Sequence, residues 1–184
     1  MVVSASIVIY NDDPRVFEKA ILSFLESCNG TLIIVDNSDI KTQSSYFKND
    51  RVKYIKNHKN IGFGAGHNLA LKEIDFKSDV HFFINPDTSF DNIIDKIALI
   101  FEANEDFGAL MPNIVYPDGT KQNLCKLLPT PIDLFLRRFL DIKFLKKLFS
   151  TNYVLKNLDE NQFTEIPTLS GCFLCVRTNI LKEI

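Results

Sequence analysis

The chain has 184 residues, of which 46% are apolar and 24% charged, with a formal net charge of −2. That length supports one sizeable core rather than two, and the near-neutral balance gives no reason to expect a nucleic-acid partner. No apolar run approaches the ~18 residues that span a bilayer, and the N-terminus carries neither a basic segment nor a small-residue cleavage site, so the expected compartment is the cytoplasm.

Ser6-Ile7-Val8-Ile9-Tyr10 is an apolar, β-branched run that breaks at Asn11-Asp12-Asp13-Pro14, which predicts a buried strand ending in a polar loop. From Arg15 to Ser27 the apolar residues Val16, Phe17, Ala20, Ile21, Phe24 and Leu25 recur at three- and four-residue spacing, one stripe of an amphipathic helix. Asn29-Gly30 is its expected stop. Thr31 to Val35 predicts a second strand, ending in Asp36-Asn37-Ser38-Asp39. Strand, helix and strand with short joints make a βαβ unit, so the two strands should run parallel.

Arg51 to Lys56 alternates and predicts a third, less buried strand. The glycine-rich stretch from Asn60 to Asn68 is expected to be a loop that opens a helix at Leu69. Its Gly62-x-Gly64-x-Gly66 pattern is neither the dinucleotide fingerprint nor a P-loop. It has two readings: a phosphate-binding helix N-terminus, or glycines chosen for close packing under the sheet. His81 to Ile84 predicts a strand that must end near Asn85, because Pro86 cannot donate to a sheet ladder. Asp87 then falls in the turn beyond it. A helix is expected from about Asp91 to Ala103, a short strand at Ala109-Leu110-Met111, a hairpin tip at Pro117-Asp118-Gly119 and a last strand within Thr168 to Arg177.

The segment from Ile132 to Phe149 is apolar all round as one helix, but splits near Asp141 into two halves with clean apolar arcs about half a turn out of phase. Two short helices are predicted, carrying Arg137, Arg138, Lys143, Lys146 and Lys147 on their polar sides. They either cover the core or form a basic, Phe-rich surface for peripheral contact with anionic lipid on the inner face of the cytoplasmic membrane. Cys172 and Cys175 form a Cys-x-x-Cys inside an apolar strand pattern with no second pair at metal spacing, so packed, reduced thiols are expected rather than zinc. His67 and His81 sit at no ligand spacing and read as structural. No repeat or linker appears, and one domain over residues 1–184 is expected.

Parallel strands bring their C-terminal ends to one edge, where ligands of open α/β sheets collect. Asn11-Asp12-Asp13, Asp36-Asn37-Ser38-Asp39 and Asn85-Pro86-Asp87 would all lie there. Asp36 could accept from a base N–H or a ribose hydroxyl, and Asp87 supplies the hard oxygen that Mg²⁺ or Mn²⁺ prefers when it also grips a diphosphate.

In order and spacing, Ser6 to Asn11, Val35 to Ser38, Asn60 to Asn68, Asn85-Pro86-Asp87-Thr88 and Ser170-Gly171-Cys172-Phe173 resemble the motifs of family 2 glycosyltransferases, nearest the rhamnosyltransferase-like branch. The resemblance implies a GT-A (Rossmann-like), mostly parallel sheet flanked by helices, a nucleotide-sugar donor (dTDP-rhamnose or a UDP-sugar), Mg²⁺ or Mn²⁺, and inverting transfer to a glycan or lipid-linked acceptor in cell-surface polysaccharide synthesis. It places Tyr10, Asn11, Asp36, Asn37, Gly62 and Asn68 on the donor. Asn85 and Asp87 become the donor and metal ligands of an Asp-x-Asp motif whose first Asp is here Asn85. Lys126, within a stretch from Gln122 to Pro129 that closes over the donor, would offset diphosphate charge, and Gly171 falls on the acceptor side.

The family's catalytic base lies in an acidic motif past the segment that matches Arg177 to Leu181. The resemblance therefore implies a base beyond Ile184 and a chain incomplete on the acceptor side. Two other classes compete: a catalytically inactive remnant or membrane-associated binding domain, and a nucleotidyltransferase. The latter calls for a glycine-rich, basic loop after the first strand, where this chain has Asn11-Asp12-Asp13-Pro14.

Overall fold

A computed structural model describes residues 1–74, 77–128, 155, 159 and 162–183. The helical segment expected over 132–149, with Pro129, lies outside the described residues. The chain divides into two compact units, Met1–Leu110 with Gly171–Ile184, and Met111–Ser170.

The first unit holds a mixed sheet of six strands: β1 (Val3–Ile9), β2 (Thr31–Asp36), β3 (Val52–Lys56), β4 (Val80–Ile84), β5 (Ala109–Leu110) and β6 (Phe173–Arg177). Their order is β3-β2-β1-β4-β6-β5. The first four run parallel, and β6 pairs antiparallel with both β4 and β5. Helices α1 (Pro14–Ser27), α2 (Phe63–Glu73) and α3 (Ile94–Ala103) flank it, and a short helical turn, α4 (Thr178–Leu181), follows β6.

All seven residues of β1 are buried, as a strand covered on both faces requires. On one face Phe17, Ile21 and Phe24 of α1 and Phe101 of α3 are fully buried with Ile7, Ile9, Leu32, Ile34, Phe82 and Ile84. Helix α1 starts where Asp13 accepts the backbone N–H of Arg15 (2.9 Å) and Pro14 takes the first helical position. On the other face α2 covers Val8, Ile33 and Val35 through Ala70.

Helix α2 corrects the expectation of a glycine loop. It begins at Phe63, so Gly64 and Gly66 lie inside it, capped by Gly62 at φ 85°. A Cβ on Gly66 would come within 2.8 Å of Val8 Cγ2, so this glycine allows the helix to lie directly on β1. Helix α3 starts at Ile94 rather than near Asp91, because Asn92 takes a left-handed backbone (φ 46°) that cannot belong to a helix. The last strand is confined to Phe173–Arg177, after a turn at Gly171.

In the second unit, the expected hairpin tip is present. Val115 and Lys121 bridge antiparallel, Gly119 N–H donates to Tyr116 O (2.8 Å), and the Asp118 carboxylate accepts the Thr120 N–H and O–H. Lys126 bridges to Thr168, whose hydroxyl donates to the Lys126 carbonyl (2.6 Å). No helix among the described residues is long and apolar enough to cross a membrane.

Candidate functional site

Chain direction reverses its lateral course at β1: β2 and β3 are added on one side and β4 on the other. The crevice at the carboxyl ends of β1 and β4 is therefore the topological switch point, where open α/β sheets take their ligands. Ile9 pairs with Asp36 and Ile7 with Ile84, so Tyr10-Asn11, Asp36 to Asp39 and Asn85 to Asp87 leave three neighbouring strands at one edge. Gly62 and Phe63, at the start of α2, join this edge through Asn37, whose side-chain N–H donates to the Gly62 carbonyl (3.2 Å). Gly171 also lies here: a Cβ on it would sit 3.3 Å from the Phe63 ring.

Each tip has its own local logic. Beyond β4, Asn85-Pro86-Asp87-Thr88 forms a turn closed by Thr88 N–H to Asn85 O (3.2 Å), with Pro86 where a β-turn favours proline. The Asn85 N–H donates to the Cys172 carbonyl (2.9 Å), which fixes this turn to the start of β6. Asp87 is exposed and Asn85 half-buried. Beyond β1, Tyr10 is 45% exposed, and its N–H donates to Asp12 Oδ2 (2.8 Å). Asn11 is exposed in a left-handed conformation (φ 54°), its N–H donating to Ser38 Oγ (2.8 Å).

The tip of β2 differs from expectation. Asp36 is fully buried, and Asn37 and Ser38 are nearly so; only Asp39 emerges. Asp36 Oδ1 accepts the Ser38 N–H (2.8 Å), while Oδ2 accepts the Thr42 N–H (3.0 Å) and the Tyr54 hydroxyl (2.5 Å). Lys56 Nζ stands 4.0 Å from Oδ1 and donates to the Ser38 and Asn57 carbonyls. Burial works to raise the Asp36 carboxyl, but the hydrogen bonds from Ser38, Tyr54 and Thr42 outweigh it and hold it below the usual range. Its own burial, and then the contact with Asp36, push the Tyr54 phenol well up. Asn37 is engaged too, accepting from Asn57 Nδ2 (3.2 Å) while it donates to Gly62. Tyr54, Lys56 and Asn57 carry no site signal in the sequence; alternation marks β3 as a strand, but nothing in one chain's pattern says which residue meets Asp36.

Asn68 is exposed on α2. Lys126 belongs to the second unit and is half-buried there. His67 and His81 lie beneath the edge in a buried polar network. No cluster of three or more metal-binding side chains occurs among the described residues. Asn85 and Asp87 together offer two hard oxygen donors on one turn, which suits an Mg²⁺ or Mn²⁺ ion that keeps its waters and is shared with substrate phosphates, not an all-protein cage. A depression of about 350 Å³ opens at the opposite edge beside Asp79 and Arg177. It is remote from these tips, and Arg177 there is engaged by the carbonyls of Phe101, Asn104 and Phe107.

No family model and no curated protein matches the sequence. Solved structures do. All of this chain superposes on 49% of S. aureus TarS 1-349, with a TM-score of 0.60 and 17% identity. It covers 46% of the mannosyltransferase PcManGT from Pyrobaculum calidifontis, solved with GDP-Man and Mn²⁺, at TM-score 0.56 and 12% identity. It covers 74% of 4-diphosphocytidyl-2C-methyl-D-erythritol synthase from Anaerococcus prevotii at TM-score 0.50 and 12% identity. The chain thus spans about half the length of the first two. These likenesses show the fold: a mixed α/β, GT-A-type fold with a mostly parallel sheet flanked by helices.

Proposed function

We propose that this chain is the nucleotide-sugar-binding part of a glycosyltransferase. One observation carries the reading: on a GT-A-type sheet, the exposed Tyr10 and the Asn85-Pro86-Asp87 turn leave adjacent strands on either side of the switch point. Tyr10 offers an aromatic face to a nucleobase. Asn85 and Asp87 would hold a divalent ion with the donor's diphosphate. Gly62, the first turn of α2 and Asn68 would line the phosphate and sugar side, with Gly171 on the acceptor side.

The reaction that fits is inverting displacement, with dTDP-rhamnose or a UDP-sugar as donor and a glycan or lipid-linked acceptor. A bond forms from the acceptor oxygen to the anomeric carbon as the bond to the diphosphate oxygen breaks. Mg²⁺ or Mn²⁺, when bound, would stabilise the charge on the departing diphosphate. The chain's own residues orient the donor: the Asn85–Thr88 turn is held to β6 through Cys172, so its carboxylate is presented on a fixed element rather than a free loop.

Nucleotidyl transfer is the second reading, since the third likeness is to a synthase of that fold. Against it, the connection from β1 to α1 is Tyr10 to Asp13, without the glycine-rich basic loop such chemistry calls for. Titration with UDP, dTDP and GDP in the presence of Mn²⁺ tests the proposal. Saturable binding of a nucleoside diphosphate is expected, and no binding of any of them would overturn it.

A further inference from the structure

Phe63, at the start of α2, leaves 46% of its surface exposed at the rim of the switch-point crevice. We propose that its ring is the seat for a sugar, packing against the C–H face of a pyranose that lies beyond the diphosphate; the inference rests on the nucleotide-binding reading above.

A single exposed apolar side chain is ordinary, but this one is held on several sides. Gly62, at a φ of 85° that suits only glycine, turns the chain into the helix just before it. The Gly62 N–H donates to Asn60 Oδ1 (2.9 Å), and its carbonyl accepts from the Gly66 N–H (3.1 Å) and from Asn37 Nδ2 (3.2 Å). The Phe63 ring itself meets His67 in a T-shaped contact, centroids 4.4 Å apart and planes at 77°, a favoured aromatic geometry. His67 is held in turn, with its Nδ1 2.7 Å from Ser6 Oγ and its ring against Phe83 at 5.2 Å. On the side of β6, Gly171 gives clearance: a Cβ there would stand 3.3 Å from Phe63 Cε1 and press on the ring.

Position along the edge says what such a ring would meet. Strands β1, β4 and β6 are consecutive neighbours in the sheet. A nucleotide with its base at Tyr10, past β1, and its diphosphate at Asp87, past β4, runs on toward the start of β6, where Phe63 meets Gly171. What lies beyond the diphosphate there is a sugar, either the one transferred or the one that receives it. A pyranose of either source carries apolar C–H groups on a face and hydroxyls around its rim. An aromatic ring takes the face, and amide and carboxylate groups such as those of Asn85 and Asp87 take hydroxyls. Stacking on a nucleobase is the competing use of an exposed aromatic, and the two differ in what is lost with the ring.

Two measurements with Mn²⁺ present separate the sources. Calorimetry compares UDP with UDP-glucose, dTDP with dTDP-rhamnose and GDP with GDP-mannose. Saturation-transfer NMR follows methyl glucoside, methyl rhamnoside and methyl mannoside added together with the nucleoside diphosphate. In the first, the sugar of at least one pair should raise wild-type affinity roughly three- to tenfold, the size expected for burying one ring face; in the second, at least one glycoside should receive saturation. One of the two signals is enough. Phe63→Leu, which keeps an apolar side chain at a half-exposed position, should erase it, and Phe63→Tyr, which keeps the ring, should retain it. Loss in calorimetry seats the transferred sugar on Phe63; loss in NMR seats the acceptor. A wild type with neither signal, a Phe63→Leu protein that keeps it, or equal loss in Phe63→Tyr would overturn the inference. So would a Phe63→Leu protein that binds nucleoside diphosphate and sugar nucleotide more weakly by the same factor, since the ring would then be reading the nucleotide. Absence of all nucleotide binding would instead remove the reading on which it rests.

Discussion

The hydroxyl of Ser6 on β1 lies 2.7 Å from Nδ1 of His67 on α2, joining helix to sheet through a polar contact in the core. The same oxygen lies 2.8 Å from His81 Nε2, and the chain continues from His81 Nδ1 to Ser4, Ser78 and Thr178. Both imidazoles are buried, and His67 Nε2 has no hydrogen-bond partner among the described residues. Burial pushes His67 down to about 4, and burial together with its neighbour His67 pushes His81 down to about 3.

Acid should therefore destabilise the protein well above the carboxylate range. Above pH 6.5 both histidines are neutral whether folded or unfolded, and they contribute no pH dependence. Below it the unfolded chain binds protons that the folded core refuses, so stability falls with pH until the folded values near 4 and 3 are reached. The slope is at most about 1.4 kcal/mol per pH unit for each histidine, or roughly 2.7 kcal/mol for both. Urea unfolding at pH 7.5, 6 and 5 should show midpoints that drop steeply between the last two. A flat profile from 7.5 to 5 would contradict the buried neutral pair.

Two glycines of α2 should respond oppositely to alanine. At Gly66 the new Cβ meets Val8 Cγ2 at 2.8 Å and Cγ1 at 2.9 Å, so helix and strand must separate, at a cost of ~1–3 kcal/mol. At Gly64 nothing lies within 4 Å, and alanine should stabilise the helix by roughly 0.5–1 kcal/mol. Chemical denaturation of both variants measures the sign directly.

Those two positions also show what could be read from the chain alone. The apolar runs of β1 and β2 and the stripe of α1 fixed the first βαβ unit, because their pattern follows only from local period and burial. The run from Gly62 to Gly66 reads locally as a loop; that it is helical depends on contact with Val8, more than fifty residues earlier. The inward turn of Asp36 was equally illegible, since it depends on Tyr54 from a neighbouring strand and on Thr42 N–H from the following loop. Where a polar tip is adjacent to its strand, as with Asn85-Pro86-Asp87, proline's missing N–H placed it correctly at the strand end.

Tyr54→Phe should lower stability without disturbing the aromatic stack. The lost hydroxyl donates to the Asp36 carboxylate at 2.5 Å, and a hydrogen bond to a charged group contributes about 1.5–3 kcal/mol. The ring keeps its stacking on Phe47 (4.2 Å), so near-ultraviolet circular dichroism should change little while the melting temperature falls. An unchanged melting temperature would show that Asp36 is held adequately by Ser38 and Thr42 alone.

The central claim is that the carboxyl edge beside β1 and β4 binds a metal-bridged nucleoside diphosphate through Asp87. Isothermal titration of wild-type and Asp87→Ala proteins with UDP or dTDP, each with Mn²⁺ and with EDTA, tests it most directly. The account predicts Mn²⁺-dependent binding by the wild type, and a loss of at least about tenfold, some 1.4 kcal/mol, in Asp87→Ala. Equal affinities for the two proteins in Mn²⁺ would contradict it.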